Sequence, residues 1–106
     1  MTLRRVVTTR CADEDIDSAI AYYMGSGARD AALGFVDALE NAKDVLGEHP
    51  SIGSPRFAIE TDISELRSLP LQRFPYVVLY TDDSDAVRVH RVLHTSRDIP
   101  AELMEP

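Results

Sequence analysis

The stretch that most constrains the fold is Phe74-Pro-Tyr-Val-Val-Leu-Tyr80, followed by a short acidic turn and then Val87-Arg-Val-His-Arg-Val-Leu-His94. Both runs are rich in β-branched and aromatic residues. With Thr81-Asp-Asp-Ser-Asp85 between them they predict a β-hairpin with a loop of several residues. The second run threads Arg88, His90, Arg91 and His94 among its apolar residues, and Arg97 follows closely. Such a density of cationic groups is unusual for a core strand, so this hairpin, or the surface it supports, is where function is to be sought.

The chain around it has the size of one domain, residues 1–106. A chain of this length buries roughly two-thirds of its unfolded surface, enough for one core. Eighteen acidic side chains against eleven basic ones leave a net charge of −7. That argues against strong non-specific nucleic-acid binding, which requires a basic surface to neutralise phosphates. A local basic patch remains compatible with it. The lone Cys11 has no second cysteine for an internal disulfide and belongs to no metal motif. No apolar run approaches a membrane span and the N-terminus has no signal-peptide core, so a cytoplasmic protein is expected.

Leu3 to Thr9 alternates loosely and predicts a first strand. Asp13, Glu14 and Asp15 crowd the first turn of a helix, where negative charge complements the helix dipole. Ile16, Ala19, Ile20 and Tyr23 supply its apolar stripe, and Gly25-Ser-Gly27 ends it. So short a break predicts an antiparallel helical hairpin. The second helix is expected from about Ala28 to Leu46, with Phe35, Leu39, Ala42 and Leu46 as its stripe. Gly47 reads as the residue just past the helix end, and close approach of the two helices would accommodate Gly34. Arg56 to Ile63 reads as a loop, and Ser64 to Leu71 as a strand with Pro70 near its end or at a bulge. Arg97 to Met104 reads as one helical turn or a tail folding back on the sheet. The expected order is β-α-α-β-β-β: an α+β fold with a helical hairpin packed on a mostly antiparallel sheet.

In that order the chain carries Ala19-Ile-Ala-Tyr-Tyr23, Phe35-Val-Asp-Ala-Leu39, His49-Pro-Ser-Ile-Gly53, Glu65-Leu-Arg67 and Tyr76-Val-Val-Leu-Tyr80. Arg91-Val-Leu-His94 and then Arg97-Asp-Ile99 complete the series. Together these words resemble the RelE/ParE superfamily of toxins from type II toxin–antitoxin systems. The resemblance implies a compact toxin neutralised by an antitoxin, ParD-like or similar. It implies no cofactor, and DNA-binding supplied by the antitoxin rather than by this chain. Fold alone does not choose the activity. RelE-like members cut mRNA on the ribosome, whereas ParE-like members cut nothing and poison DNA gyrase.

The residues weigh that choice. RNA cleavage needs a group to activate the 2′-hydroxyl, cations for the phosphorane-like transition state, and an acid for the leaving oxygen. The resemblance to nucleases leaves Arg67, Arg91, His94 and Arg97 as a candidate catalytic set. His94 has a ring suited to acid or base work near neutral pH, but it equally suits closing the last strand by hydrogen-bonding backbone. The nuclease pattern carries an Arg where this chain has Tyr76, and a C-terminal Tyr close to Pro100, which can transfer no proton. Of the mid-chain basic cluster only Arg56 is present. The Arg-Val-Leu-His and Arg-Asp-Ile words look like the ParE branch, and the reading therefore leans to a gyrase-binding toxin. A member that binds its antitoxin but has lost toxicity is a further alternative.

For that binding reading the expected partner-contact residues are Tyr22, Tyr23, Phe35, Leu39, Arg91, His94, Arg97 and Ile99. Strand alternation places Arg91 on one face with Val87, Val89 and Leu93, paired with a carboxylate such as Glu65 or Asp98. It places His90 on the other face with Arg88 and Val92, as a solvated edge. The carboxylates of Asp13 to Asp17 lack a second cluster to complete a metal site, and none is expected.

Overall fold

The computed structural model describes residues 3–104. Residues 1–2 and 105–106 of the expected domain lie outside the described residues. The elements run β1 (Val6–Thr8), α1 (Arg10–Gly25), α2 (Arg29–Glu48), α3 (Arg56–Thr61), β2 (Arg67–Pro70), β3 (Tyr76–Asp82), β4 (Val87–His94) and α4 (Ile99–Met104). The sheet order is β1-β4-β3-β2, with β1 parallel to β4 and the other pairs antiparallel. This is the α+β arrangement expected, with two short helices added. No helix is long and apolar enough to cross a membrane among the described residues.

β3 sets the layering. Its residues Tyr76 to Thr81 are all buried, so both faces need a cover. On one face Tyr76, Val78 and Tyr80 meet the helical hairpin through Ala19, Phe35, Leu39 and Leu46. On the other, Val77 and Leu79 pack with Leu93 against Phe57 of α3 and Ile99 of α4. The segment Arg56 to Ile63, expected as a loop, is therefore largely helical, because Phe57 is needed to close this second face. Full burial of side chains such as Phe35, Leu46 and Leu79 is worth roughly 1.5–3 kcal/mol each. Exposed pairs such as Arg10–Glu14 and Lys43–Glu40 contribute about 0–1 kcal/mol. Apolar burial on both faces, then, dominates stability.

Local chemistry fixes the ends of the elements. Thr9 caps α1 by accepting the Ala12 N–H at 3.1 Å, so the helix starts at Arg10 and only Asp13 of the acidic run lies in its first turn. Gly27, at φ +76°, supplies the left-handed residue between the helices. Gly47 is not past the end of α2 but inside its last turn. The chain before β1 crosses there, with Arg4 N donating to the Gly47 carbonyl at 2.9 Å, and a Cβ on Gly47 would sit 3.0 Å from the Arg4 carbonyl oxygen. Gly34 makes room for the Phe74 ring, 3.1 Å from an ideal Cβ, rather than for α1. The second strand is shorter than expected because Glu65 takes a left-handed φ of 65°, confining β2 to Arg67–Pro70.

Strict alternation fails in β4. The register pairs Tyr80 with Val89 but Leu79 with Arg91, so His90 is an extra residue, a β-bulge. Val87, Val89 and Val92 consequently all face the helical hairpin, whereas Arg91 and Leu93 pair with Leu79 and Val77 on the other face. The expected grouping of Arg91 with Val87 and Val89, and of His90 with Val92, is corrected by this bulge. Nor is His90 a solvated edge residue. Its Nε2 lies 2.8 Å from Thr81 Oγ1, its carbonyl accepts from Thr9 Oγ1, and burial holds its pKa below the ordinary value, with Arg88 assisting and Asp83 opposing. Arg88 is held in the hairpin by Asp83 and Asp85.

Two stability outcomes follow. An alanine at Gly53 would place its Cβ 2.6 Å from Tyr80 Oη and 2.9 Å from the Ser68 carbonyl oxygen, whereas one at Gly25 meets nothing within 4 Å. Urea unfolding should show Gly53→Ala destabilised by about 1–3 kcal/mol, and Gly25→Ala unchanged or stabilised by about 0.5–1 kcal/mol. The depressed pKa of His90 means that the unfolded chain binds the proton more readily. Stability should accordingly fall as pH drops below about 6.5, and His90→Gln should flatten that fall in unfolding curves taken between pH 7 and 5.5.

Candidate functional site

β1 covers β4 only as far as Val89, which leaves the rest of the β4 edge without a strand neighbour among the described residues. Asp15 of α1 fills the gap. Its Oδ2 accepts the Val92 backbone N–H at 3.0 Å and Arg91 Nε at 2.7 Å, and its Oδ1 accepts Arg91 Nη2 at 2.9 Å. A side chain thus substitutes for a missing strand, in a bidentate geometry that makes charge-assisted bonds strong. The same contact raises the Arg91 pKa further above its ordinary range. Arg91 was expected to pair with Glu65 or Asp98; the carboxylate is Asp15. The missed signal was periodicity. Ala12, Asp15 and Ala19 stand at i, i+3 and i+7, and both alanines are buried, so Asp15 shares the stripe that faces the sheet.

Beyond this clamp the space between α1 and the end of β4 opens into a cleft of about 550 Å³. Tyr22, Tyr23 and Tyr76 line it with His94 and Arg97. The aromatics are mutually edge-on: Tyr22–Tyr23 at 5.3 Å between centroids, Tyr23–Tyr76 at 6.5 Å and Tyr76–His94 at 5.1 Å. Tyr76 is continuous with the core through Phe35 at 5.1 Å, while Tyr22 is 67% exposed. Burial pushes the Tyr76 phenol above its ordinary pKa; Tyr23 and Tyr22 add to this, and Arg97 opposes it. Tyr23 is raised likewise, by burial first and then by Tyr22.

His94 closes the strand through backbone. Its Nδ1 accepts the Ser96 N–H at 3.0 Å, and its carbonyl accepts the Arg97 N–H. Arg97 Nη1 donates to Glu102 Oε1 at 2.9 Å, tying the loop after β4 to α4. Of the residues expected at a partner surface, Tyr22, Tyr23, His94 and Arg97 converge on this cleft, with Arg91 behind its wall. Phe35, Leu39 and Ile99 are buried, the first two between helices and sheet and the third against α3, where closing the core is their use.

Arg67 lies elsewhere. Its guanidinium donates to the Gly53 and Ser51 carbonyls at 2.8 and 3.1 Å, bracing the turn that the Tyr80 hydroxyl also holds through Pro50 and Gly53. Arg67 pairs with Tyr80 at one end of β3, and His94 with Tyr76 at the other. Four residues of strand separate the two pairs by roughly 13 Å. The fold therefore does not bring together the four residues of the expected nuclease set.

The helical hairpin and sheet, closed on the second face by short helices and carrying this cleft, define a small α+β module, and comparison places it further. A family model described as the ParE toxin of the type II toxin–antitoxin system, parDE, matches residues 6–99. The chain belongs to the ParE toxin family. Among solved structures, a chain of the chromosomal ParDE toxin–antitoxin system from P. aeruginosa shares its fold, with a TM-score of 0.72 at 19% identity. That alignment covers 87% of this chain and 96% of the other. No curated protein matches.

The Asp15–Arg91 link sets an expectation of its own. Asp15→Ala should destabilise the protein by about 1.5–3 kcal/mol, the range for hydrogen bonds to charged groups. A double-mutant cycle with Arg91→Ala should return a coupling of about 0.5–3 kcal/mol in urea unfolding; additive losses would show the pair to be idle.

Proposed function

We propose that this protein is a ParE-like toxin that inhibits DNA gyrase by binding it, acts in the cytoplasm, and is neutralised by a cognate antitoxin. The observation that carries the non-catalytic reading is the fate of the candidate nuclease residues. Arg67 Nη1 is turned to the Gly53 and Ser51 carbonyls, Arg91 is locked to Asp15, and His94 Nδ1 is taken by Ser96 N. General acid–base cleavage needs groups within hydrogen-bond reach of one reacting phosphate. With Arg67 at the far end of β3 and Arg91 committed to the Asp15 carboxylate, only His94 and Arg97 share one cleft, and two groups do not meet that need. Tyr76 in place of a nuclease arginine belongs to the aromatic wall of the cleft.

Function in this reading is an interface. The cleft between α1 and β4 takes part of a flexible antitoxin segment that folds on binding, as disordered partners do when they lay anchors into a groove. The −7 charge of the chain favours Lys and Arg elsewhere along that segment, through long-range complementarity. Operator binding would come from the antitoxin.

Purified gyrase gives the direct assay. Adding the folded toxin should suppress supercoiling and trap cleaved DNA, and prior mixing with the antitoxin should restore activity. Unimpaired supercoiling with no trapped cleavage complex would overturn the proposal.

A further inference from the structure

The cleft between α1 and the end of β4 has a polar character opposite to that of the whole chain. Eighteen acidic side chains are spread through the sequence, yet among the described residues only Asp15 contributes a carboxylate to the cleft wall. Both its oxygens are already engaged, by Arg91 and the Val92 N–H. What remains free there is rich in donors. With Nδ1 accepting from Ser96 N, the neutral His94 ring carries its hydrogen on Nε2. Arg97 uses one terminal nitrogen on Glu102, and its side chain is 57% exposed, with further N–H groups to offer.

The tyrosines add to this. Of the four in the chain, Tyr80 alone has a hydrogen-bonded hydroxyl among the described residues; Tyr22, Tyr23 and Tyr76 present theirs uncommitted at the cleft. A hydroxyl can accept as well as donate, but an imidazole N–H and a guanidinium only donate. The group that satisfies all of them at once is an anionic acceptor. Between the donors the walls are aromatic rings, edge-on to one another and continuous with the core. About 550 Å³ admits a few side chains of an extended segment, not a folded domain.

We propose that this cleft recognises an acidic side chain, a Glu or Asp flanked by apolar residues, on an extended peptide segment of the protein partner. The identity of that partner as the antitoxin rests on the toxin–antitoxin reading; the carboxylate chemistry does not. The anchor has the opposite sign to the cationic character that the net charge favours along the rest of the segment. A partner segment is therefore recognised by an acid at one fixed point within a basic surround, which sets both its register and its specificity. Charge-assisted bonds to a carboxylate make the loss of a single donor worth about tenfold or more in affinity.

The test uses the full chain, observed by NMR and titrated with three capped tripeptides, acetyl-Leu-Glu-Leu, acetyl-Leu-Gln-Leu and acetyl-Leu-Lys-Leu amides, and with phenylacetate. The Glu peptide should shift the Ser18, His94 and Ser96 resonances saturably. It should bind about tenfold tighter than the Gln peptide and tighter still than the Lys peptide. Tyr76→Phe, which keeps the ring and hence the packing, should weaken the Glu peptide about tenfold without changing the Gln peptide, and Tyr23→Phe gives the same comparison independently. Equal binding of the three peptides, preference for Lys, shifts confined to another face, or no binding would each overturn the proposal. Phenylacetate binding as tightly as the Glu peptide would overturn the peptide source in favour of a small carboxylate. If the protein encoded beside this one fails to form a complex with it while the Glu preference holds, the antitoxin reading fails and the carboxylate site stands.

Discussion

A strand that is apolar on both sides must be covered twice, and most of this structure answers that demand. β3 is buried from Tyr76 to Thr81, and the helical hairpin covers one face while α3 and α4 cover the other. The two short helices have little reason to form alone, since six-residue helices are unstable in water. They persist because Phe57 and Ile99 close the second core. The position of α4 in turn fixes the segment after β4, and with it His94, Ser96 and Arg97.

The second constraint is the shortness of β1. Three residues of parallel pairing leave the far half of β4 as an open edge, normally a liability for edge-to-edge association. The chain meets this with Asp15, which takes one backbone N–H and the Arg91 guanidinium together. The bulge at His90 makes that possible, because it shifts the phase of β4 so that Val92 still packs under the helices while its N–H points outward to Asp15. The cleft is what remains between α1 and β4 past this link. A structural device for ending a strand has thus produced a concave, aromatic-walled surface.

Much of this was legible in the sequence. The helical hairpin, the chain order of helices and strands and the 74–94 hairpin were carried by apolar periodicity and by the Gly25–Gly27 break, and the ordered words pointed to the family. The parts that were not legible depend on contacts distant in sequence. Period-two alternation assigned the faces of β4 wrongly because nothing local announces a bulge at His90. Asp15 sat in an acidic run whose obvious use was at a helix N-terminus, so its pairing across 76 positions went unseen. The helical stripe that correctly found Phe35 and Leu39 could not tell partner contact from core, since an apolar stripe serves either. Tyr22 and Tyr23 were separable only once α1 was seen to end beside His94. Arg67 looked like a catalytic arginine, and its engagement with two turn carbonyls appears only in three dimensions.

The central claim is that this fold acts by holding a partner rather than by cutting RNA. Inducing the toxin in cells and following, in the same culture, gyrase covalently trapped on DNA and the 5′ ends of mRNA tests it most directly. The account predicts that trapped gyrase accumulates as growth stops while mRNA ends stay unchanged. Codon-phased mRNA cuts appearing without trapped gyrase would contradict it.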